Sequence, residues 1–305
     1  MDSSRAMNVN RSSWFYRIDS FKAYYVKLIK LPLFYYLVSG QTKLLELLTF
    51  FKSFDEDDPD TWDGLEPTKT TMKELYEKFD ADTMIFTAHA VGLDTDDDSF
   101  EAPSIEIFRK IKQYMAFLDQ YGRSPYLYPV QGMGELLEGF MRLSTVHGYT
   151  FMLDKPFENI VYDEKGQVCG VMSGEETAKC KAVICDPTYV LDKVKKVGEV
   201  VCAYCILNHP VPNTEDSDSC KIIIPHSQVG RKSDVYIVVV SQAHQVCTKG
   251  FYLAYILTTV ETFAPESELK PGLDLLGPIT EKFIFIRDIY EPTDDGSKSK
   301  VSNFL

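Results

Sequence analysis

The sequence is short of the side chains that most chemistry requires. Its 305 residues hold five histidines, scattered along the chain, and no Ser, Thr or Cys stands in a nucleophile motif beside one. There is no Walker turn with its lysine, no Gly-x-Ser-x-Gly elbow and no His-Glu-x-x-His pair. Gly132-x-Gly134 starts like a dinucleotide turn, but the third glycine position is Leu137. A Tyr-Pro segment rather than a clear strand precedes it, so the fingerprint fails. Basic charge is also scarce. The 32 Lys and Arg against 45 Asp and Glu leave a net charge of −13, the wrong sign for a nucleic-acid backbone. Long apolar runs are missing: the segment Leu31 to Val38 contains Pro32 and is too short to span a bilayer. No secretion-signal pattern opens the chain. With an odd count of seven cysteines, this points to reduced thiols and a cytoplasmic protein.

What is present reads as structure first. The acidic runs Asp55 to Asp60, Asp94 to Asp98, Glu215 to Asp218 and Asp294-Asp295 read as solvated loops. None has the spacing of a calcium loop. Cys202-x-x-Cys205 with His209 is the best metal or redox candidate, but a tetrahedral site needs a fourth ligand near it. The pair also sits in an apolar strand, where residues three apart point to opposite faces, and buried cysteine behaves as a small hydrophobe. His89 and His147 read as packing or capping residues. No metal and no cofactor is expected.

From Leu44 to Tyr121 the pattern is helical. Leu44, Leu45, Leu47, Leu48 and Phe51 form a stripe, and Thr71-Met-Lys-Glu74 is a capping box for a helix from Met72 to Phe79. Asp82 to Val91 reads as the next helix, closed by Gly92. Pro103 suits the first turn of a third, whose apolar positions Ile107, Phe108, Ile111, Met115 and Leu118 recur until Gly122. Gly134 to Val146 is a further helix, ended by Gly148. Strands are then expected at Tyr149 to Leu153, Asn159 to Tyr162, Val168 to Met172, Lys181 to Cys185, Val200 to Leu207, Lys221 to Ile224, Asp234 to Val240 and Phe251 to Thr259. Glu266 to Leu276 looks helical, and Glu281 to Ile286 is left open. Residues 1–43 show no clean period.

The most informative stretch is Tyr121-Gly-Arg-Ser-Pro-Tyr-Leu-Tyr-Pro129 with the helix behind it. Glu135 and Arg142 are seven residues apart and share a helix face. One reading is a pair that complements the helix dipole. The other is a polar docking face continued by Thr150 and Met152, which alternate onto one side of the expected strand.

From about Leu44 to Ser299 the chain resembles the central part of the Rab GDP dissociation inhibitors. The resemblance is carried by Tyr121 to Pro129, Gly134-Glu-Leu136, Arg142-Leu-Ser144, Ile184 to Tyr189, Cys205 to Pro210, Ile222 to Pro225, Gly230 to Tyr236 and Tyr290 to Gly296. It implies an α/β fold: an incomplete flavoprotein-like (FAD/NAD(P)-binding-like) mixed-sheet domain with an inserted helical subdomain, working without flavin. Residues 1–43 would be a divergent N-terminal segment, 44–120 the helical, prenyl-binding subdomain, and 121–305 a partial sheet domain with the Rab-binding platform.

The resemblance implies a monomer that is not an enzyme. Its partners would be prenylated Rab GTPases in the GDP state and their geranylgeranyl lipid, with transient membrane contact. It would slow GDP release and recycle the GTPases in vesicle transport. Glu135, Arg142, Thr150 and Met152 fall on the platform. Tyr121, Gly122, Arg123 and Ser124 fall on a mobile loop implicated in membrane recognition. Ile107, Ile111 and Met115 are the candidates for the prenyl pocket, with ordinary helix core as the competing reading. Three positions depart from the family: Gln120 stands for an arginine, Leu137-Glu138 for Pro-Gln, and Gly148-Tyr149 for a glycine pair. The family's opening portion and closing strand and helices are not recognisable. The expectation is therefore a truncated or alternatively spliced relative whose sheet lacks a central strand and exposes edges. The alternatives are an inactive fragment, or a flavin-dependent oxidoreductase, which the missing phosphate-binding glycines oppose.

Overall fold

Alternating β-branched residues and a short apolar helix write the largest sheet. The computed structural model describes residues 15–17, 20–23, 49–62, 64, 66, 68–71, 73–74, 104–121, 127–214 and 216–303. Its strands are β1 (Phe15–Arg17), β2 (Ser20–Ala23), β3 (Leu127–Pro129), β4 (Asn159–Tyr162), β5 (Val168–Ser173), β6 (Glu176–Lys179), β7 (Val183–Cys185), β8 (Val194–Leu207), β9 (Cys220–Ile224), β10 (Val235–Ser241), β11 (Tyr252–Thr259), β12 (Glu281–Pro292) and β13 (Val301–Asn303). The helices are α1 (Ile105–Tyr121), α2 (Met133–Val146), α3 (His226–Val229), α4 (Pro265–Glu268) and α5 (Lys270–Leu276). A six-stranded sheet runs in the order β12-β8-β11-β10-β9-β2. The chain divides into two units, residues 1–136 with 201–285, and residues 137–200 with 286–305.

In the first unit, β9, β10 and β11 pair antiparallel, and β2 adds to β9 in parallel. The N-terminal segment, which shows no pattern in the sequence, therefore supplies an edge strand, and β1 pairs with β3. One face of the sheet buries Ile222, Ile224, Val235, Ile237, Val239, Ala254 and Ile256 with Leu269 and Leu276. Helix α5 lies against β10 and β11, and Gly272 permits that approach. A Cβ there would stand 2.9 Å from Ile256 Cγ2 and 3.4 Å from Ile237 Cδ1. Both neighbours are in close-packed core and cannot retreat freely. Gly272→Val should cost about 1–3 kcal/mol by overpacking, read as a lower urea midpoint at unchanged slope. An unchanged midpoint would show that the helix seat tolerates a side chain.

The segment Gly230 to Tyr236, one of the strings behind the family resemblance, serves a buried ion cluster. Gly230 caps α3 at φ 67°, and its successor Arg231 turns inward. The Arg231 guanidinium lies 2.7 Å from Glu268 and also donates to Thr259 O (2.7 Å), Thr258 and Glu261. The Glu268 carboxylate further accepts the N–H groups of Glu261 and Thr262 and the Thr262 hydroxyl. Glu261 in turn accepts the N–H groups of Lys232 and Ser233. Burial alone would raise the Glu268 pKa. The hydrogen bonds from Thr262, Arg231 and the two backbone amides outweigh it and hold the carboxyl below its usual range. Because the folded pKa is depressed, this stabilisation is complete above the unfolded carboxylate pKa and is lost as pH falls through the folded one. Stability measured below about pH 4.5 should fall with a shallower slope in Glu268→Gln than in the parent, and equal slopes would remove Glu268 from the acid limb.

The first unit also contains the described part of the helical block. The capping box forms as expected: Thr71 N–H donates to Glu74 Oε2 (3.0 Å) and Glu74 N–H to Thr71 Oγ1 (3.3 Å). Residues 49–53 are helical, and α1 ends at Tyr121, one residue before Gly122. Phe108 on α1 is packed edge-on by Phe50, Phe51 and Phe54. The helix expected at Asp82 to Val91, most of the one at Met72 to Phe79, and the acidic run Asp94 to Asp98 lie outside the described residues.

In the second unit, β4, β5 and β6 form an antiparallel meander. The expected hairpin turn is present: Asp163 Oδ1 accepts the N–H groups of Lys165 and Gln167, and Gly166 takes φ 74°. Strand β6 was not expected, because Glu176 to Lys179 is exposed throughout and shows no apolar alternation. Strands β7 and β13 pair in parallel, and Ile160, Val168, Val190 and Val301 form a small core.

Candidate functional site

Helix α2 begins where Gln131 and Gly132 both take positive φ, 68° and 99°. Gln131 N–H donates to His244 O, and a Cβ on Gly132 would meet Val246 Cγ1 at 3.5 Å. The glycine thus fits a tight approach to the chain around Val246. A short strand, β3, does precede it, contrary to the sequence expectation. The third glycine position remains Leu137, inside the helix and 66% exposed, so these residues do not make a phosphate cradle for a flavin nucleotide.

The helix ends in a Schellman motif. Gly148 N–H donates to Thr145 O (2.9 Å) and Tyr149 N–H to Ser144 O (3.1 Å), with Gly148 at φ 85°. The departure from a glycine pair is therefore accommodated, since only the first of the two positions needs left-handed backbone. A shallow open cavity of about 440 Å³ lies at this end, lined by Leu143, Ser144, His147, Gly148 and Tyr149.

Glu135 lies in the first turn of α2, where the helix dipole favours an acid. Arg142 lies outside the last turn, which contains no basic residue, so the dipole gives it little. Neither side chain has a hydrogen-bond or ion-pair partner among the described residues, and Arg142 is exposed. Two turns of helix place their Cα atoms about 10 Å apart on one side.

Thr150 and Met152 are exposed, but the strand expected over Tyr149 to Leu153 does not form. Residues 149–158 are irregular and exposed, with Asp154 at φ 55°. No neighbouring strand is paired to this segment in any sheet, so the alternation that was to put both residues on one face does not hold. Tyr149 and Phe151 instead pack ring to ring at 4.6 Å. On the proposed loop, Tyr121 is the last residue of α1, while Gly122, Arg123 and Ser124 lie outside the described residues. Of the pocket candidates, Ile107 and Ile111 are buried on α1 and Met115 is half-buried.

The Cys202, Cys205 and His209 grouping comes apart. Cys205 points into the main core, and burial raises its thiol pKa. Cys202 contacts Phe285 O, and the His209 ring nitrogens lie 2.7 Å from Pro210 O and 2.9 Å from Pro278 O. Among the described residues no group of His, Cys, Asp and Glu could hold a metal ion. The acidic run Asp55 to Asp60 caps its own turns: Asp55 accepts the Asp57 N–H and Asp58 the Asp60 N–H. A position the sequence did not single out is Lys221, whose amine burial brings down to about 8 beside the Tyr236 ring. No helix among the described residues is long and apolar enough to cross a membrane.

Comparison with known proteins gives a consistent result. A family described as GDP dissociation inhibitor matches residues 29–303. The crystal structure of a Rab GDI from Plasmodium falciparum superposes with a TM-score of 0.82 at 39% identity, over 87% of this chain. The match spans 61% of that relative's length. An oxidoreductase from Methanosarcina mazei superposes with a TM-score of 0.51 at 13% identity, over 83% of this chain and 68% of its own, a likeness of fold alone.

Proposed function

The chain belongs to the GDP dissociation inhibitor family, and from that premise we propose that it binds prenylated Rab GTPases in the GDP state. It slows GDP release and carries them between membranes and cytosol in vesicle transport. The observation that supports this is the uncommitted pair Glu135 and Arg142 on α2, with Thr150 and Met152 exposed just beyond the helix. A charged side chain left without a partner on a regular helix is ready to take one from a docking protein. Met152 adds an adaptable apolar contact.

The same reading assigns residues 44–120 to the lipid and residues 121–305 to the platform. Each methylene of a prenyl chain taken from water yields ~0.8 kcal/mol, so the carrier must open an apolar space of its own. Ile107, Ile111 and Met115 on α1 line that space, and Tyr121 to Ser124 form the loop that meets the membrane. The protein works from the cytoplasm and makes no covalent change in its partner. The test is equilibrium binding to prenylated Rab loaded with GDP or with a GTP analogue. Tighter binding to the GDP form is expected, whereas equal affinity for both would remove the inhibitor reading.

A further inference from the structure

Helix α2 buries none of its residues, yet its composition is that of a helix made to be covered. At 100° per residue, Leu137, Phe140, Met141, Leu143 and Ser144 fall on one side. Leu137 is 66% exposed, Phe140 61% and Leu143 45%. Tyr149, at 59%, extends the same surface past the Schellman turn. Glu135 and Arg142 lie on the opposite side, about 160° from Phe140 around the helix.

We propose that this apolar face is an interface between two copies of the chain, in place of the monomer that the family resemblance implies. Three observations select a second copy as the occupant. The first is area. The exposed parts of Leu137, Phe140, Met141, Leu143 and Tyr149 amount to roughly 600 Å² per copy, so a symmetric pairing buries roughly 1,200 Å², above the ~1,000 Å² that a specific interface needs. The second is self-complementarity. Two such helices packed antiparallel about a twofold axis at Phe140 bring each Leu137 against the other copy's Leu143. The small Ser144 lets the backbones close, and the two helix dipoles oppose. The third is charge. Residues 137–157 carry Glu138 and Asp154 against Arg142 and Lys155, and the chain carries −13. An anionic membrane surface, which attracts basic amphipathic helices, gains nothing here. The pairing leaves Glu135 and Arg142 facing outward, so it does not depend on the GTPase reading.

The test is sedimentation equilibrium of the full chain over a wide concentration range. A monomer–dimer equilibrium is expected for the parent. Leu137→Asp and Phe140→Asp, both at exposed positions, should each weaken it at least tenfold while leaving the circular dichroism unchanged. Because an aspartate variant could fail to fold, Phe140→Cys provides a second readout. Under mild oxidation it should give a disulfide-linked dimer well above the background set by the exposed Cys169. A parent that stays monomeric overturns the proposal, as does a dimer indifferent to both aspartates, or a Phe140→Cys chain that cross-links no more than the parent. A monomeric parent that floats with phosphatidylcholine vesicles, and loses this with Phe140→Asp, would make the face a lipid surface instead.

Discussion

Arg231→Ala is expected to lower the unfolding free energy by about 3–5 kcal/mol, a large share of the stability of a domain this size. The guanidinium is 9% exposed and its partner carboxylate on Glu268 only 3%. Removing the cation leaves that carboxylate and the Glu261 carboxylate without their counter-charge in a site where water cannot substitute. It also strips a donor from Thr259 O and Thr258. Replacing the whole cluster with apolar residues would be milder, since the severe penalty comes from orphaning one partner. Arg231→Lys should recover only part of the loss, because an ammonium cannot match the planar fork that reaches Glu268, Glu261 and Thr259 together. Urea unfolding at neutral pH would show the order parent, Lys, Ala. A midpoint for Arg231→Ala within error of the parent would mean that the cluster contributes nothing net.

The second large effect concerns binding. Arg142→Ala should weaken the complex with prenylated Rab·GDP by about 1.5–3 kcal/mol, the worth of a hydrogen bond to a charged group, which is roughly a 10- to 150-fold rise in Kd. The fold should be untouched, because Arg142 is exposed and its side chain supports nothing among the described residues. This separates it from Arg231→Ala, whose effect is on stability. Glu135→Ala should act in the same direction. Titration by fluorescence or calorimetry would read both, and unchanged affinity in Arg142→Ala would remove α2 from the platform.

How far these residues could be read before folding follows from what each pattern encodes. The strands β9, β10 and β11 are legible because Ile222 to Ile224, Val235 to Val240 and the 252–259 run combine β-branched residues with turn residues at both ends. The Asp163 to Gln167 turn and the Thr71 capping box are local hydrogen-bond devices, and each formed as its spacing demands. Strands β1, β2 and β6 were invisible because they owe their existence to a neighbouring edge and carry no period of their own. The expected strand at 149–153 failed for the converse reason: its residues have the right propensity, but no partner strand reaches them.

At the site, Glu135 and Arg142 could be paired from their seven-residue spacing alone. Thr150 and Met152 could not be oriented, since their geometry depends on a loop. The role of Arg231 was hidden because its partners Glu261 and Glu268 lie about thirty residues on and are brought back by the β10–β11 hairpin. The apolar side of α2 was readable as helix periodicity, but only the folded chain shows that nothing among its described residues buries it.

The measurement that bears most directly on the account is extraction of prenylated Rab·GDP from isolated membranes by the purified chain. The account predicts a stoichiometric soluble complex that survives removal of the membranes, fails to form with the GTP-loaded protein, and is lost in Arg142→Ala. A folded chain that leaves all of the GTPase on the membrane at saturating concentration would contradict it.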